Sequence, residues 1–398
     1  MKRFMLLIAG FILLTFSGTK AQSLQMHVAF YGLQFKGGEL PPDRIRLKDT
    51  LSAATLLPAY LAIQQQHNQV LLDSLKSFRQ RFELNDWLYY QLIRKVAQQL
   101  CPKNEDYNIY TLYKWYFLTA AGFDARLAIT GTKLIFYIYN EENIEDIPFF
   151  VLDSKKYMCL NIHDFEPFDL HLQPPVPLVL QVPGAVESFS YRVTRLPDFE
   201  PEAYQAKRLD FIYNHRPYHF NIVFNQELQA VFNNYPVVDF ASYFNIPLSR
   251  ATYQSLVPLL KNNMNGMKVE QGIDYLMRFT RYAFLYENDQ ENFGRERRLS
   301  PEETLFSPYS DCDDRAGLFF YLVKEIYNLP MIALLYPGHI NIAVALPDPK
   351  GKFINYKGKS YTVCEPTPQS VDLPLGTFSP ALSGSHYEVV YAYEPAEN

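Results

Sequence analysis

The stretch that most constrains this chain is "YSDCDDRAGLFFYLVKEIYNLP", Tyr309 to Pro330. A cysteine set among three aspartates opens an apolar stripe. Ala316, Phe319, Phe320, Val323 and Ile326 or Tyr327 recur at helical spacing, so one face of the helix must be covered. Ser310 or Asp311 can cap its start. Beyond Pro330 the period changes. "MIALLYPGHINIAVALP" alternates on both sides of Pro337-Gly338, and "KFINYKGKSYTVCEPT" and "YEVVYAY" also read as strands. A helix that must bury a stripe, joined to strands that must bury a face, gives a helix packed on a sheet.

The 398 residues allow two or three domains. Charged residues make up 20% and hydrophobic residues 48%, a composition for packed interiors rather than disorder. "QMHVAFYGLQF" alternates like a strand, and a helical region runs from about Ala53 to Leu100. Within it, Asn85 is a candidate cap, with Leu88, Leu92 and Val96 on one face. "YNIYTLYKWYFLTAAGFDARLAIT" then gives a helix, a stop at Gly122 and a strand. "KLIFYIYN" and "KKYMCLNI" continue as strands. From about Pro167 the chain turns proline-rich, and "SFSYRVTRL", "RLDFIYNH" and "YHFNIVFN" alternate with period two. The expected organisation is an α+β unit over residues 22–166, a β-rich linking section over 167–240, and a second α+β unit over 241–398.

Residues 1–21 read as a cleaved leader. Lys2 and Arg3 precede "FMLLIAGFILLTF", and small Thr19 and Ala21 mark a cleavage site. The expected location is therefore outside the cytoplasm, in the periplasm or the medium. No second long apolar run is found after it, so no membrane span is expected. The net charge of −5, without a basic stripe, argues against nucleic acid as a partner. Four cysteines are too few for a disulfide scaffold, although Cys101 and Cys159 could pair.

The helix dipole beneath Cys312 favours a thiolate, whereas Asp313 and Asp314 oppose one, and the two effects are expected to cancel roughly. Activation then requires a histidine. His339 fits, because one helix, a turn and an adjacent strand separate it from the cysteine. Glu365 ends the next strand, where a carboxylate could orient the imidazole. The run of aspartates could instead hold a metal, but adjacent residues at a helix start point in different directions and no His or Cys pair supports them. His215 and His219 would share a strand face, without an evident third ligand. No metal or cofactor is expected.

"DCDDRAGLFFYLVKEIYNLPMIAL", "PGHINIAVAL" and "CEPT" together resemble the transglutaminase-like superfamily of papain-like cysteine enzymes, over about residues 245–375. The resemblance implies Cys312 as nucleophile, His339 as base and Glu365 in the place of an aspartate. Departures are that Glu, Asn328 for a glycine, and Ile340-Asn341 where an aromatic often comes after the histidine. The backbone N–H of Cys312 is one candidate oxyanion donor. The resemblance further suggests a side-chain donor from the preceding loop, Gln290 or alternatively Tyr286, though both also read as solvated loop residues.

The N-terminal half carries a fainter copy. "KNEDYNIYTLYKWYFLTAAGFDARLA" aligns without gaps to the Cys312 stretch, and "LAITGTKLIFYIYN" and "SKKYMCLN" parallel the later strands. With small shifts in offset along the later strands, this sets Asp106, Thr132 and Asn161 against Cys312, His339 and Glu365. The expected fold is thus α+β, with a degenerate transglutaminase-like unit, a β-rich middle and a transglutaminase-like C-terminal unit. The expected activity is attack on amide bonds of peptides or proteins, cell-wall peptides among them, through a thioacyl intermediate. Hydrolysis, as by a peptidase or amidase, is favoured over cross-linking. The alternative is a binding or scaffolding protein of the cell envelope without catalysis.

Overall fold

The computed structural model describes residues 25–396 except 42, 48–49, 67–68, 146, 166–173, 181 and 288–296. The expected leader lies outside these residues. The chain is a mixed α+β protein. It begins with a hairpin, β1 (Gln25–Phe30) and β2 (Leu33–Glu39), and continues into helices α1 (Ala53–Gln66), α2 (Gln69–Arg81), α3 (Asp86–Leu100) and α4 (Tyr107–Ala120). Asn85 caps α3, its side chain accepting the N–H of Leu88. Strands β3 (Ala125–Thr130), β4 (Lys133–Tyr139), β5 (Phe149–Leu152), β6 (Lys155–Cys159) and β7 (Val176–Pro177) form a sheet in the order β5-β6-β4-β3-β7.

The proline-rich middle crosses to a long hairpin, β8 (Tyr204–Tyr213) and β9 (Arg216–Asn225). It leads into helices α5 (Leu228–Phe232), α6 (Phe240–Tyr243), α7 (Arg250–Asn263) and α8 (Val269–Tyr282). Next come β10 (Leu285–Tyr286), α9 (Pro301–Phe306), β11 (Tyr309–Ser310) and α10 (Cys312–Tyr327). The chain closes with β12 (Met331–Tyr336), β13 (His339–Val344), β14 (Phe353–Tyr356), β15 (Lys359–Cys364) and β16 (Glu388–Tyr393). Their order is β14-β15-β13-β12-β16, so the two five-stranded sheets share one strand order, each entered from a helix.

The central strands are apolar on both faces because each sheet is covered twice. Ile340, Ile342 and Val344 face the main core together with Phe319 and Phe320 of α10, while Ala343 joins Ile332, Leu334 and Val363 in a smaller cluster behind the sheet. The main core is continuous from Met26 to Cys364. The hairpin β8–β9 belongs to it: Phe211 lies 5.0 Å from the ring of Tyr275 and 5.5 Å from that of Phe279 on α8. No described helix is long and apolar enough to cross a membrane.

Candidate functional site

The start of α10 explains its three aspartates. Asp311 is the N-cap and accepts the N–H groups of Asp313 (3.0 Å) and Asp314 (3.2 Å). Asp314 reaches back to the N–H of Asp311 and also accepts that of Leu299 at 2.8 Å. Asp313 pairs with Arg298 at 3.0 Å. All three carboxylates therefore serve the helix start and its neighbours, which removes the basis for reading them as metal ligands. The helix ends at Asn328, whose φ of 50° and ψ of 46° place it in the left-handed cap position where glycine is commonest.

Cys312 is the first helical residue and is half-buried. His339 is the first residue of β13, after the two-residue turn Pro337-Gly338. Its Nε2 lies 2.9 Å from Oε2 of buried Glu365, just past the end of β15. The other carboxylate oxygen of Glu365 accepts the N–H of Thr367 at 3.1 Å. With Nε2 engaged, Nδ1 is the ring nitrogen left for proton transfer. The N–H of Ile340, the residue after His339, is within hydrogen-bonding reach of the Cys312 thiol. The three elements expected to carry the site are thus adjacent.

The electrostatics differ from expectation. Burial pushes the Cys312 thiol far above its usual range, and the charges of Asp313 and Asp311 push it further. The Sγ is 3.6 Å from Oδ1 of Asp313. The N–H of Ile340 opposes these effects without offsetting them. The rough cancellation expected from the sequence does not hold, because desolvation of the sulfur acts in the same direction as the neighbouring carboxylates. The resting group is a neutral thiol.

Gln290 lies outside the described residues. Tyr286 is placed beside the site: β10 pairs in parallel with β11, setting Tyr286 against Ser310, two residues before Cys312. Its ring centroid is 5.9 Å from the guanidinium carbon of Arg315, and its side chain is exposed. His215 and His219 do not share a strand. His215 occupies the turn with φ 64°, while His219 binds Asp210 through Nδ1 at 2.5 Å. All four cysteines are free thiols, so Cys101 and Cys159 are not paired.

Two residues that the sequence pattern did not single out organise the site. Arg315, fully buried, donates to the carbonyls of Thr280 (3.0 Å), Arg281 (2.8 Å), Phe284 (3.2 Å) and Leu285 (2.9 Å). Burial pushes its pKa down to about 10. Arg281, also buried, donates from Nε to the carbonyl of Glu365 at 3.1 Å and from Nη2 to the same oxygen. An arginine inside an apolar helical stripe was the available signal, since a buried cation must find partners.

The N-terminal sheet offers an internal comparison. Asp106 caps α4 as Asp311 caps α10. Thr130 and Lys133 close the β3–β4 hairpin as Tyr336 and His339 close β12–β13. Counted from these points, the places of Cys312, His339 and Glu365 fall to Tyr107, Lys133 and Asn161. These places differ by one residue from Asp106, set by the gap-free alignment, and from Thr132, set after its shift in offset, because caps and hairpins, not residue similarity, set the register. The three converge: Nδ2 of Asn161 donates to the Tyr107 hydroxyl at 2.8 Å, and Lys133 Nζ is 5.7 Å from that ring. None of them supplies a thiol or an imidazole.

Two cavities lie elsewhere, and neither is lined by Cys312, His339 or Glu365. A cleft of about 540 Å³ between the halves is lined by Trp87, His163, Tyr235, Arg297 and Arg298, and so reaches the partner of Asp313. A more apolar groove on the outer face of the N-terminal sheet, lined by Phe149, Val151 and Leu178 among others, touches none of the three candidate residues. The chain matches no family model, and no curated protein is significantly similar to it.

Proposed function

We propose that this chain is an exported transglutaminase-like cysteine enzyme whose C-terminal half attacks amide bonds of peptides or proteins. The observation that carries the reading is the His339–Glu365 pair at 2.9 Å beside the helix that Cys312 opens. Glu365 holds the imidazole so that Nδ1 can receive the thiol proton as Sγ bonds to the substrate carbonyl carbon. The backbone N–H of Cys312 is the candidate donor to the oxyanion that forms, since Asp311 takes up the N–H groups of Asp313 and Asp314. Collapse breaks the C–N bond, the imidazolium returns its proton to the leaving amine, and a thioester remains. Water is the acceptor that needs no second binding site, so hydrolysis is favoured over transfer to an amine. A leader over residues 1–21 would place cell-wall peptides within reach. The N-terminal half is read as a degenerate copy of the same fold, supported by the shared strand order and by Tyr107, Lys133 and Asn161 at the three positions.

A second reading, a binding or scaffolding protein without turnover, draws support from the neutral, half-buried thiol. One experiment separates them. Wild type and Cys312→Ala are incubated with peptide libraries, and products are identified by mass spectrometry. Cleaved or cross-linked peptides from wild type alone establish the enzyme. Identical product patterns favour binding over catalysis.

A further inference from the structure

We propose that Arg281 is a positioning residue for the His339–Glu365 pair, and that through Arg315 it ties that pair to the helix bearing Cys312. The proposal rests on the reading of these three residues as a catalytic set. Arg281 sits in the last turn of α8 with 1% of its side chain exposed. Its guanidinium grips both ends of the turn after β15. Nε and Nη2 hold the carbonyl of Glu365, while Nη1 holds the carbonyl of Leu373 at 3.0 Å and Oδ1 of Asp372 at 2.7 Å. The carbonyl of Arg281 in turn receives Nη1 of Arg315 at 2.8 Å. A fork of fixed N–H groups runs from the cysteine helix to the end of α8, and a second runs from there to the backbone of the acid.

The placement is a constraint that packing alone does not provide. Glu365 lies beyond the last ladder pair of β15, where Cys364 faces Ile342, so strand pairing does not hold its carbonyl. Burying a guanidinium requires that its donors be filled. Arg281 fills them mostly with backbone carbonyls, and two donors converge on the residue that orients His339. A shift of the order of 1 Å in such a support can cost about 100-fold in rate. Lysine cannot replace the fork, because one ammonium does not hold two ends of a turn in a fixed plane.

The test is a double-mutant cycle between Arg281 and Glu365. It is read by kcat and KM on a cleaved peptide and by the rate at which iodoacetamide labels Cys312, located by mass spectrometry. His339→Ala and Glu365→Gln come first: if neither changes labelling or turnover, the catalytic reading itself fails. If both do, Arg281→Gln is expected to lower kcat by about 10- to 100-fold with KM within about twofold. The double variant Arg281→Gln/Glu365→Gln is expected to be no slower than Glu365→Gln alone, since the arginine acts through the glutamate. Multiplying losses, or an Arg281→Gln kcat equal to wild type, overturns the proposal. Arg281→Lys, which keeps the charge, decides the matter if the glutamine variant does not fold: a folded lysine variant with wild-type kcat overturns it equally.

Discussion

Burial is the largest influence raising the pKa of the Cys312 thiol, and its charged neighbours add to it. Removing the nearest of them has a definite sign. Asp313→Asn deletes a negative charge 3.6 Å from the sulfur and leaves Arg298 without its carboxylate partner, so thiolate formation becomes easier. Labelling of Cys312 by iodoacetamide at pH 8 is expected to speed up by about 3- to 10-fold, since one pKa unit is a factor of ten in thiolate below the pKa. Unchanged labelling would show that the carboxylate is screened. A second buried group shows the same physics with the opposite charge. Lys114, fully buried on α4, has an Nζ without a hydrogen-bond partner among the described residues and lies 4.5 Å from the Tyr110 ring. Burial pulls its pKa from 10.5 down to about 7, with Arg94 and Lys103 adding repulsion and Asp164 and Cys159 opposing it. Between those values the unfolded chain holds a proton that the folded chain has released, so this residue makes stability rise with pH across the window and adds no slope below it. Lys114→Met is expected to raise the thermal midpoint at pH 7. The gain should shrink as pH approaches 10, as melts at several pH values would reveal.

At the scale of elements, α10 carries its own test in Gly317. An alanine there should favour the helix by about 1 kcal/mol through propensity. A Cβ at this position would, however, stand 2.6 Å from the Tyr243 hydroxyl and 2.9 Å from the ring. That hydroxyl is not free to move, since its one proton lies between the carbonyls of Leu299 (2.9 Å) and Asp313 (3.2 Å). Gly317→Ala is therefore expected to destabilise by about 1–3 kcal/mol in urea unfolding, reversing the propensity effect. The helices and hairpins were legible in the sequence because caps and periodicity are local: Asn85, Asp311 and the Pro337-Gly338 turn all act where they stand. Register between the two halves was less legible. Aligning similar residues set Asp106 against Cys312, although Asp106 and Asp311 do the same capping work. The candidate set Cys312, His339 and Glu365 was legible from order and spacing, whereas the state of the thiol depended on burial, which spacing does not report.

Contacts between distant segments were the least legible, and at the scale of the whole molecule they decide how the protein folds. The β-rich middle reads in sequence as a linker, yet its hairpin completes the core beneath the candidate site. Phe220 lies 5.2 Å from the ring of Phe279, beside the Phe211 contacts to Tyr275 and Phe279. Lys207 Nζ donates to the carbonyls of Leu305 (3.0 Å), Phe306 (2.8 Å) and Ser307 (3.2 Å), which end α9. The N–H of Asn225 is bonded at 2.9 Å to the buried carboxylate of Glu302, whose pKa burial raises. A fragment of residues 241–398 keeps the whole candidate site but loses this hairpin. Each large apolar side chain uncovered removes about 1.5–3 kcal/mol, and a few of them equal the roughly 5–15 kcal/mol by which a typical domain is stable. The fragment is therefore expected to bind a hydrophobic dye and to melt without a cooperative transition, whereas residues 200–398, which restore β8 and β9, should regain one. A sharp calorimetric transition in the shorter fragment would instead make the C-terminal half an independent folding unit, with the hairpin as an accessory.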